Sequence, residues 1–430
     1  MLRVDVTWLG YFMALVSIYY VALFVLSTRR ASRRIPRGGG LPAVALIMPA
    51  HNEELVIGGT LETLVNLDYE RFCVIVVNDG STDETGSLAQ TFKSTGRVRV
   101  IERPPEVAGR GKGAVLNDGY RYLIDLLDRS DPLVEAFEPE NVVVGVVDAD
   151  GHLQANALQE VARFFADPEV GGVQMGVVIG NAGDGLIARC QDLEFTGFSQ
   201  LAQAARDRIG SVGLGGNGQF TRLAALRSLE RLPWTDCLTE DLDLGLHLRR
   251  IGWQIRFCRT TAVTQQGVRT VRAWLRQRTR WAQGHYQCWD HIPKLLTAWR
   301  LPVATRVDLT LYLLFVTFVM FVAANLAVAI AGAFGWVAIT NNFLAFIPAG
   351  PPRNVTMEAI GLSPVVMLLT RYQQHSPHAL RWWELPAYGA AFGLYVYMWT
   401  AASLLAWFRL VAGRVHWSKT ARVERGVAAR

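Results

Sequence analysis

Residues 142–151 read VVVGVVDADG, a continuous apolar run that ends in two aspartates one residue apart. Short apolar runs bounded by turn residues are typical of strands buried in a sheet. Two earlier stretches have the same form: Val44 to Met48 leads into Pro49 to Glu54, and Cys73 to Val77 leads into Asn78 to Asp83. Open α/β sheets bind ligands outside the carboxyl ends of their strands. These stretches therefore predict an α/β fold with a ligand site at one edge of its sheet.

The polar residues at these strand ends predict a site for a nucleotide diphosphate. Asp79 suits a uracil N–H or a ribose hydroxyl, although such a residue can also only cap the next helix. Asp148 and Asp150 can hold a diphosphate through a hard divalent cation, Mg²⁺ or Mn²⁺. Lys112 lies between two glycines at the predicted start of a helix, where a cation and free N–H groups can face phosphate oxygens. The spacing of a P-loop is absent.

The triplet Thr239-Glu240-Asp241 heads a leucine-rich stretch that predicts a helix, although its leucines also alternate at the period of a strand. The dipole at a helix N-terminus favours the ionised form of a carboxylate. Asp241 is therefore a candidate general base that would remove a proton from a substrate hydroxyl. Acidic triplets at helix starts are also common capping devices.

Gln277, Arg280 and Trp281 fall at positions i, i+3 and i+4, so on a helix they share one face. Carbohydrate binding uses this mixture, because a sugar ring stacks on an indole while its hydroxyl groups need polar partners. An Arg-Trp pair near a membrane is also a common anchor.

The composition indicates a membrane protein that carries a sizeable soluble domain. The chain has 430 residues, of which 51% are hydrophobic, and a formal net charge of +6. Trp8 to Leu26 is uncharged and has about the 20 residues that a helix needs to cross a bilayer. The arginines that follow it, between residues 29 and 37, are placed in the cytoplasm by the positive-inside rule.

Two further spans are expected near the C-terminus, Leu309 to Ile339 and Ala387 to Phe408. Between them, Val355 to Thr370 is short and contains Glu358 and Pro364, so it is either a surface helix or part of two more spans. Two or four spans after the catalytic domain would both return the tail to the cytoplasm. The predicted organisation is a transmembrane helix (1–28), a basic glycine-rich linker (29–40), a cytoplasmic catalytic domain (41–267), interfacial helices (268–304), a transmembrane region (305–411) and a basic cytoplasmic tail (412–430).

Charge and cysteine content narrow the possible partners. The basic residues are concentrated beside apolar segments, which favours contact with anionic lipid headgroups and argues against nucleic acid as a partner. The five cysteines show no paired CxxC spacing, so neither a zinc site nor a disulfide framework is indicated.

Taken together and in this order, these motifs resemble the processive membrane branch of glycosyltransferase family 2, which includes cellulose, hyaluronan, chitin and poly-N-acetylglucosamine synthases. The resemblance covers roughly residues 41–288. It implies a GT-A-type nucleotide-sugar-binding domain, with a Rossmann-like mixed sheet, embedded between transmembrane helices. The chain stops soon after its last predicted span and lacks the Phe-x-Val-Thr-x-Lys gating sequence of bacterial cellulose synthase, which puts that particular activity in doubt.

The resemblance also implies roles for individual residues. The expected donor-binding residues are Ala50, Glu53, Asp79, Lys112, Asp148, Asp150 and Arg280, with Asp150 and Asp148 as the metal ligands. Catalysis is expected from Asp241 with Glu240 and Thr239. The acceptor is expected to contact Gln277, Trp281, Gly216 and Asn217, of which the last two lie in a glycine-rich loop. Trp417, Lys419 and Thr420 resemble a gating motif, although basic tails beside a membrane also simply bind lipid.

The expected reaction is one inverting displacement, in which an acceptor hydroxyl attacks the anomeric carbon of a UDP-sugar, with UDP-glucose or UDP-N-acetylglucosamine as the favoured donors. The product would be a β-linked polysaccharide, extended processively and exported across the inner (plasma) membrane by a multi-pass enzyme. The alternative is transfer of a single sugar to a membrane lipid.

Overall fold

The computed structural model describes residues 2–28, 40–348 and 350–414. The strands in these ranges are β1 (Leu2–Asp5), β2 (Ala43–Ala50), β3 (Phe72–Asn78), β4 (Val98–Glu102), β5 (Val142–Val146), β6 (His152–Leu153), β7 (Val170–Ile179), β8 (Gln219–Arg222), β9 (Gln254–Gln265) and β10 (Val337–Thr340). The helices are α1 (Thr7–Thr28), α2 (Ile57–Val65), α3 (Thr85–Thr91), α4 (Lys112–Asp128), α5 (Ala157–Ala162), α6 (Leu186–Asp192), α7 (Gln200–Ile209), α8 (Leu223–Arg227), α9 (Glu240–Arg250), α10 (Val271–Gln287), α11 (His291–Leu296), α12 (Val303–Leu313), α13 (Phe315–Ala333), α14 (Pro351–His375) and α15 (Leu385–Val411). A π-helical segment, Leu193–Ser199, joins α6 to α7.

Eight strands form one mixed sheet in the order β4-β3-β2-β5-β8-β7-β9-β6. The half from β4 to β5 is parallel, β8 runs antiparallel to both of its neighbours, and β7 and β9 pair in parallel. The predicted α/β class with a mixed sheet is confirmed. The three strands expected from apolar runs are β2, β3 and β5, which lie side by side.

The sheet is buried on both faces, and β2 shows why its sequence is continuously apolar. Val44, Leu46 and Met48 enter one hydrophobic cluster, whereas Ala45 and Ile47 enter the cluster on the opposite face. Because both faces are covered, the strand carries no polar alternation. Because β2 pairs in parallel with both β3 and β5, the carboxyl ends of the three strands lie at the same edge of the sheet.

Within the described ranges, two helices are long and apolar enough to cross a membrane, α1 and α15. A third candidate exists if α12 and the first residues of α13, which meet at a bend of 57°, count as one broken span. These assignments rest on length and composition. They support membrane association.

The expected span from Leu309 to Ile339 is not one continuous helix. Its helix breaks at Leu314, ends at Ala333, and is followed by β10. At the break, the indole N–H of Trp289 donates to the carbonyl oxygen of Leu313 at 3.0 Å, and Thr317 N–H donates to the carbonyl of Leu314 instead. A side chain inserted into the hydrogen-bond ladder is a common cause of a helix kink.

The segment that the sequence left open, Val355 to Thr370, lies in α14, a helix of 25 residues with Pro364 in its interior. No helix covers Gly335 to Ile347, part of which is β10. The four-span alternative therefore receives no support from the described residues. Nearly all of the predicted linker and the tail from residue 415 onward lie outside them, and so do Trp417, Lys419 and Thr420.

Helix α15 lies along α10, which follows the catalytic domain in the chain. Near its middle, Tyr395 accepts a hydrogen bond from the indole of Trp274 at 2.8 Å. Beyond its end, the carbonyl of Arg414 accepts from Gln283 at 3.1 Å. The two helices are thus in contact over much of their length.

Helix α1 contacts later parts of the chain before its first turn and near its middle. Before it, β1 pairs in parallel with β10. In its middle, the Ser17 hydroxyl donates to the carbonyl of Ile360 in α14 at 2.8 Å. Further along, Tyr19 donates to Asp308 at 2.7 Å, and Arg206 of α7 binds the other oxygen of Asp308 at 2.9 Å. This buried junction joins α1, α7 and α12.

Candidate active site

A cavity of about 1030 Å³ opens at the carboxyl edge of the sheet and contains most of the residues expected from the sequence. The predicted residues that line it are Ala50, Glu53, Asp79, Lys112, Asp148, Gly216, Asn217, Thr239, Glu240, Asp241, Gln277, Arg280 and Trp281. Asp150 is not among the lining residues.

Asp79 lies at the end of β3 and is 3% exposed. Its carboxylate forms a buried ion pair with Arg103 and accepts the N–H of Gly109 at 3.1 Å. Arg103 and the N–H of Gly109 therefore hold the carboxylate in one orientation beside the cavity. Sequence reasoning missed Arg103, which follows directly after β4 and gives no motif.

Lys112 is the first residue of α4, and its ammonium group lies 2.5 Å from the Asp148 carboxylate and 4.0 Å from Glu240. Burial opposes the charge of Lys112, but the neighbouring carboxylates raise its pKa overall. A lysine held in this charged state suits an anionic ligand such as a diphosphate. Asn217, expected to bind acceptor, lines the cavity, and its side chain also accepts the N–H of Asp148 at 3.1 Å and so positions the turn after β5.

Asp148 and Asp150 provide the donor set expected for a divalent cation. Asp148 lines the cavity, whereas Asp150 is 2% exposed and accepts the N–H of Gln266 at 2.9 Å. Two carboxylates at one strand end offer hard oxygen ligands, which suit Mg²⁺ or Mn²⁺. The chemistry of these residues thus fits such an ion.

The Thr-Glu-Asp triplet begins α9, which settles the choice between helix and strand in favour of the helix. Asp241 reaches the cavity, and its Oδ1 accepts the N–H of Leu242 at 2.7 Å. Gly216, in a left-handed conformation with φ +74°, lies directly against it: a Cβ there would be 2.8 Å from Asp241 Oδ2 and 3.4 Å from Lys112 Nζ. The loop can approach the carboxylate only because residue 216 has no side chain.

Burial alters the charge state expected for the triplet. It raises the pKa of Glu240 to about 7, with a further contribution from the charge of Asp241. It also raises the pKa of Asp241, although Lys112 and Arg280 oppose the shift. The helix dipole therefore does not dominate, and the carboxylate pair titrates closer to neutral pH than free side chains do.

Helix α10 contributes Gln277, Arg280 and Trp281 to the cavity from one face, as their spacing predicted. The Arg280 guanidinium donates to the carbonyl of Leu238 at 3.0 Å, so it ties α10 to the segment that leads into α9. The Gln277 side chain accepts a hydrogen bond from Arg278 at 2.7 Å. The face that carries the three residues is thereby fixed relative to Asp241.

Arg278 has a role that the sequence did not indicate. It is fully buried, forms an ion pair with Glu194 of the π-helical segment and donates to Tyr395 of α15 at 3.2 Å. Its guanidinium lies 3.9 Å from the ring centre of Trp281. Arg278 therefore packs against the Trp281 indole and helps to fix its position. The sequence had suggested only that Arg278 is one more basic residue at the membrane interface.

The cavity continues from the polar site into an apolar region between the membrane-associated helices. Its walls there include Phe12 and Leu23 of α1, Val365 of α14, and Phe392 and Val396 of α15. One continuous space therefore connects Asp241 to side chains of three long helices.

Comparison with known proteins agrees with this architecture. Residues 42–284 match the family described as glycosyltransferase like family 2. Over 298 residues the chain is 32% identical to a beta-monoglucosyldiacylglycerol synthase of Nostoc sp., covering 64% of this chain and 59% of that protein. Over 253 residues it is 24% identical to a poly-beta-1,6-N-acetyl-D-glucosamine synthase of Staphylococcus aureus, covering 57% and 55%. The chain thus spans little more than half the length of these curated relatives.

A solved structure shows the same fold. The mannosyltransferase PcManGT from Pyrobaculum calidifontis, in complex with GDP-Man and Mn²⁺, has a TM-score of 0.59 and 19% identity, and the match covers 94% of this chain and 96% of that one. The expected resemblance is confirmed for the family but not for its processive branch, because the lipid-glycosylating relative is more similar than the polymer synthase. The chain belongs to glycosyltransferase family 2.

Proposed function

We propose that the protein transfers one sugar from a nucleotide sugar to the hydroxyl group of a membrane lipid. The observation that carries this proposal is the single cavity that joins the candidate base, Asp241, to apolar walls between α1, α14 and α15. A lipid alcohol has both parts that such a space accepts, a hydroxyl group for the polar end and acyl chains for the apolar one.

The same walls argue against the export of a polysaccharide along this path. A glycan carries hydroxyl groups on every sugar, and each one left without a hydrogen-bond partner in an apolar environment costs several kcal/mol. Acyl chains gain free energy in the same place, about 25 cal/mol for each Å² of apolar surface removed from water. The similarity to a beta-monoglucosyldiacylglycerol synthase supports a diacylglycerol acceptor and glucose as the sugar, with UDP-glucose as the donor.

The residues support a one-step inverting reaction. Asp241 takes the proton from the acceptor hydroxyl, whose oxygen bonds to the anomeric carbon as the bond to the diphosphate breaks. Attack from the opposite face converts an α-linked donor into a β-linked product. Lys112 and Arg280 offset the charge that develops on the departing diphosphate. A divalent cation held by Asp148 and Asp150 would add positive charge at that group.

The proposed orientation places the catalytic domain in the cytoplasm. In the sequence, the arginines between residues 29 and 37 follow α1 directly. Such residues remain on the cytoplasmic side of a membrane. A cytoplasmic site would have access to nucleotide sugars and to lipids of the inner leaflet.

The test is product analysis with purified protein in nanodiscs that contain diacylglycerol. The donors are radiolabelled UDP-glucose, UDP-N-acetylglucosamine and GDP-mannose, each supplied separately. We expect one radiolabelled product that is extracted by organic solvent and carries a single sugar. Long water-soluble polymer that appears early, with no glycolipid, would refute the proposal.

The apolar part of the cavity can be tested with a paired substitution in α15. Gly393 lines the cavity and has open space at its Cβ position, so Gly393→Leu should fill part of the acyl-chain path. We expect a higher KM for the lipid and unchanged donor binding. Ala390→Leu, on an exposed part of the same helix, is the control. Equal KM values for the lipid in the two variants would contradict the binding of acyl chains in this part of the cavity.

A further inference from the structure

Three side chains with metal-binding chemistry meet at the junction of α9 and α11. Asp243 and His247 lie one turn apart on α9, and His291 begins α11. One potential ligand atom of each lies within 4.8 Å of those of the other two. None of the three lines the cavity that contains Asp241, so this cluster is separate from the candidate active site.

The carboxylate of Asp243 is oriented by groups outside the cluster. Its Oδ2 accepts hydrogen bonds from Arg231 at 2.9 Å and from Thr235 at 2.7 Å. Its Oδ1 therefore faces the two imidazoles, 2.8 Å from His291 Nε2 and 3.7 Å from His247 Nε2. In metal sites, a carboxylate that binds the ion through one oxygen typically accepts hydrogen bonds from neighbouring protein groups at its other oxygen.

We propose that Asp243, His247 and His291 bind a zinc ion. Zinc accepts a mixture of imidazole nitrogen and carboxylate oxygen at about 2.0 to 2.2 Å, and tetrahedral ligands at that distance lie roughly 3.3 Å apart. The separations of Asp243 Oδ1 from His291 Nε2 and His247 Nε2, 2.8 and 3.7 Å, bracket this value, and all three ligand atoms lie within 4.8 Å of one another. Side-chain rotations that replace the His291–Asp243 hydrogen bond would bring the three atoms to one ion. The side chain of His247 is 27% exposed, which leaves room for water as the fourth ligand.

The donor set of the cluster indicates which metal it would take. Two nitrogen donors and one carboxylate differ from the pair of carboxylates at Asp148 and Asp150. By ligand preference, the new cluster selects zinc and the carboxylate pair selects Mg²⁺ or Mn²⁺.

A zinc ion here would connect α9 to α11. Because α9 begins with Glu240 and Asp241, the ion would fix the helix that carries the candidate base against the segment after α10. Its role is positional, since none of its ligands reaches the cavity. The proposal does not depend on which acceptor the protein uses.

The test is zinc binding to full-length protein in detergent, after removal of metal with a chelator and gel filtration. A chromophoric competitor then reports the affinity, and elemental analysis reports the stoichiometry. We expect one tightly bound zinc per chain in the unmodified protein and at least a tenfold loss of affinity in His247→Ala. His291→Ala should also lose the ion. His375→Ala, which removes an exposed histidine elsewhere, should retain it.

Two further measurements separate this site from the carboxylate pair and from misfolding. Asp150→Asn should keep the zinc, and Co²⁺ should give the intense visible absorption of a four-coordinate site in the unmodified protein but not in His247→Ala. Zinc should raise the Tm of the unmodified protein and leave that of His247→Ala unchanged. Absence of stoichiometric zinc in the unmodified protein, or equal affinity in His247→Ala, would overturn the proposal.

Discussion

Gly216 determines how closely the candidate base and the candidate phosphate-binding lysine can share one wall of the cavity. Its hydrogen atom takes the place where a Cβ would lie 2.8 Å from Asp241 Oδ2. The arrangement of Asp241 and Lys112 thus depends on the absence of a side chain at residue 216 as much as on the charged residues themselves. Asp241, Lys112 and Asp148 could be predicted from the sequence because each follows a recognisable strand or begins a helix.

Asp241→Asn should abolish sugar transfer while leaving nucleotide-sugar binding nearly intact. The amide oxygen can still accept the N–H of Leu242, so the start of α9 keeps its shape and only the base is lost. We expect turnover to fall roughly 10² to 10⁴-fold. Turnover and donor affinity are measured on the same preparation. A parallel loss of both would identify Asp241 as a structural residue.

The activity should fall as the pH decreases, and at a higher pH than a free aspartate would give, because burial raises the pKa of Asp241, the candidate base. The charge of Asp241 contributes to the raised pKa of Glu240, so the two carboxylates titrate as a pair, and Glu240→Gln should move the acid limb of the activity to lower pH. A series of kcat/KM values against pH tests this. An acid limb at the same pH in both proteins would contradict it.

Transfer should require a divalent cation held by the carboxylate pair. We expect EDTA to abolish activity, Mg²⁺ or Mn²⁺ to restore it, and Asp150→Asn to remain inactive at every metal concentration. Zinc alone should not restore the activity of the EDTA-treated enzyme. Full activity in excess chelator would exclude the metal from the reaction.

The residues that sequence reasoning missed have their roles through tertiary contacts. Arg278 resembles its basic neighbours in the sequence, yet it is fully buried against Trp281 because Glu194 and Tyr395 approach it from distant elements. Asn217 was expected to contact the acceptor, but its hydrogen bond to the turn at Asp148 could not be read from the sequence. Local pattern predicts where a site lies but not which groups support it.

At the scale of elements, the charges at the two ends of a helix decided what the periodicity of its apolar residues left open. Helix α9 has acidic residues in its first turn and basic residues in its last, which complement the helix dipole and outweigh the strand-like alternation of its leucines. The break at Leu314 could not be predicted, because it depends on the indole of Trp289, which lies between α10 and α11.

The contact between α10 and the start of α9 gives a prediction at this scale. Gly284 of α10 lies so close to Thr239 that a Cβ would be 2.6 Å from its backbone nitrogen. We expect Gly284→Ala to lower stability by about 1 to 3 kcal/mol and to reduce activity, because the helix must move away. The measurement is Tm together with turnover.

Gly58→Ala is the matched control for this substitution. Gly58 is also helical, and its Cβ position is open, so the change should be neutral or slightly stabilising. Equal stability of the two variants would mean that the close contact between Gly284 and Thr239 does not limit the size of residue 284.

At the scale of the whole molecule, the junction of Arg206, Asp308 and Tyr19 holds membrane-associated helices to the catalytic domain. Asp308→Asn leaves Arg206 buried without its counter-charge, and we expect a loss of about 3 to 5 kcal/mol in stability. Asp125→Asn, which breaks an exposed ion pair with Arg129, should change stability by less than about 0.5 kcal/mol. Thermal unfolding in detergent compares them. Similar Tm values would show that the junction carries little stability.

The pairing of β1 with β10 has a consequence for the biosynthesis of the protein. Leu2–Asp5 and Val337–Thr340 are hydrogen-bonded to each other, so they must lie on the same side of a membrane. In the topology proposed above, in which α1 spans the bilayer, that side is opposite to the catalytic domain. β1 is synthesised first and its partner only after the whole catalytic domain, so in this topology β1 would stay unpaired until the chain had crossed the membrane a second time.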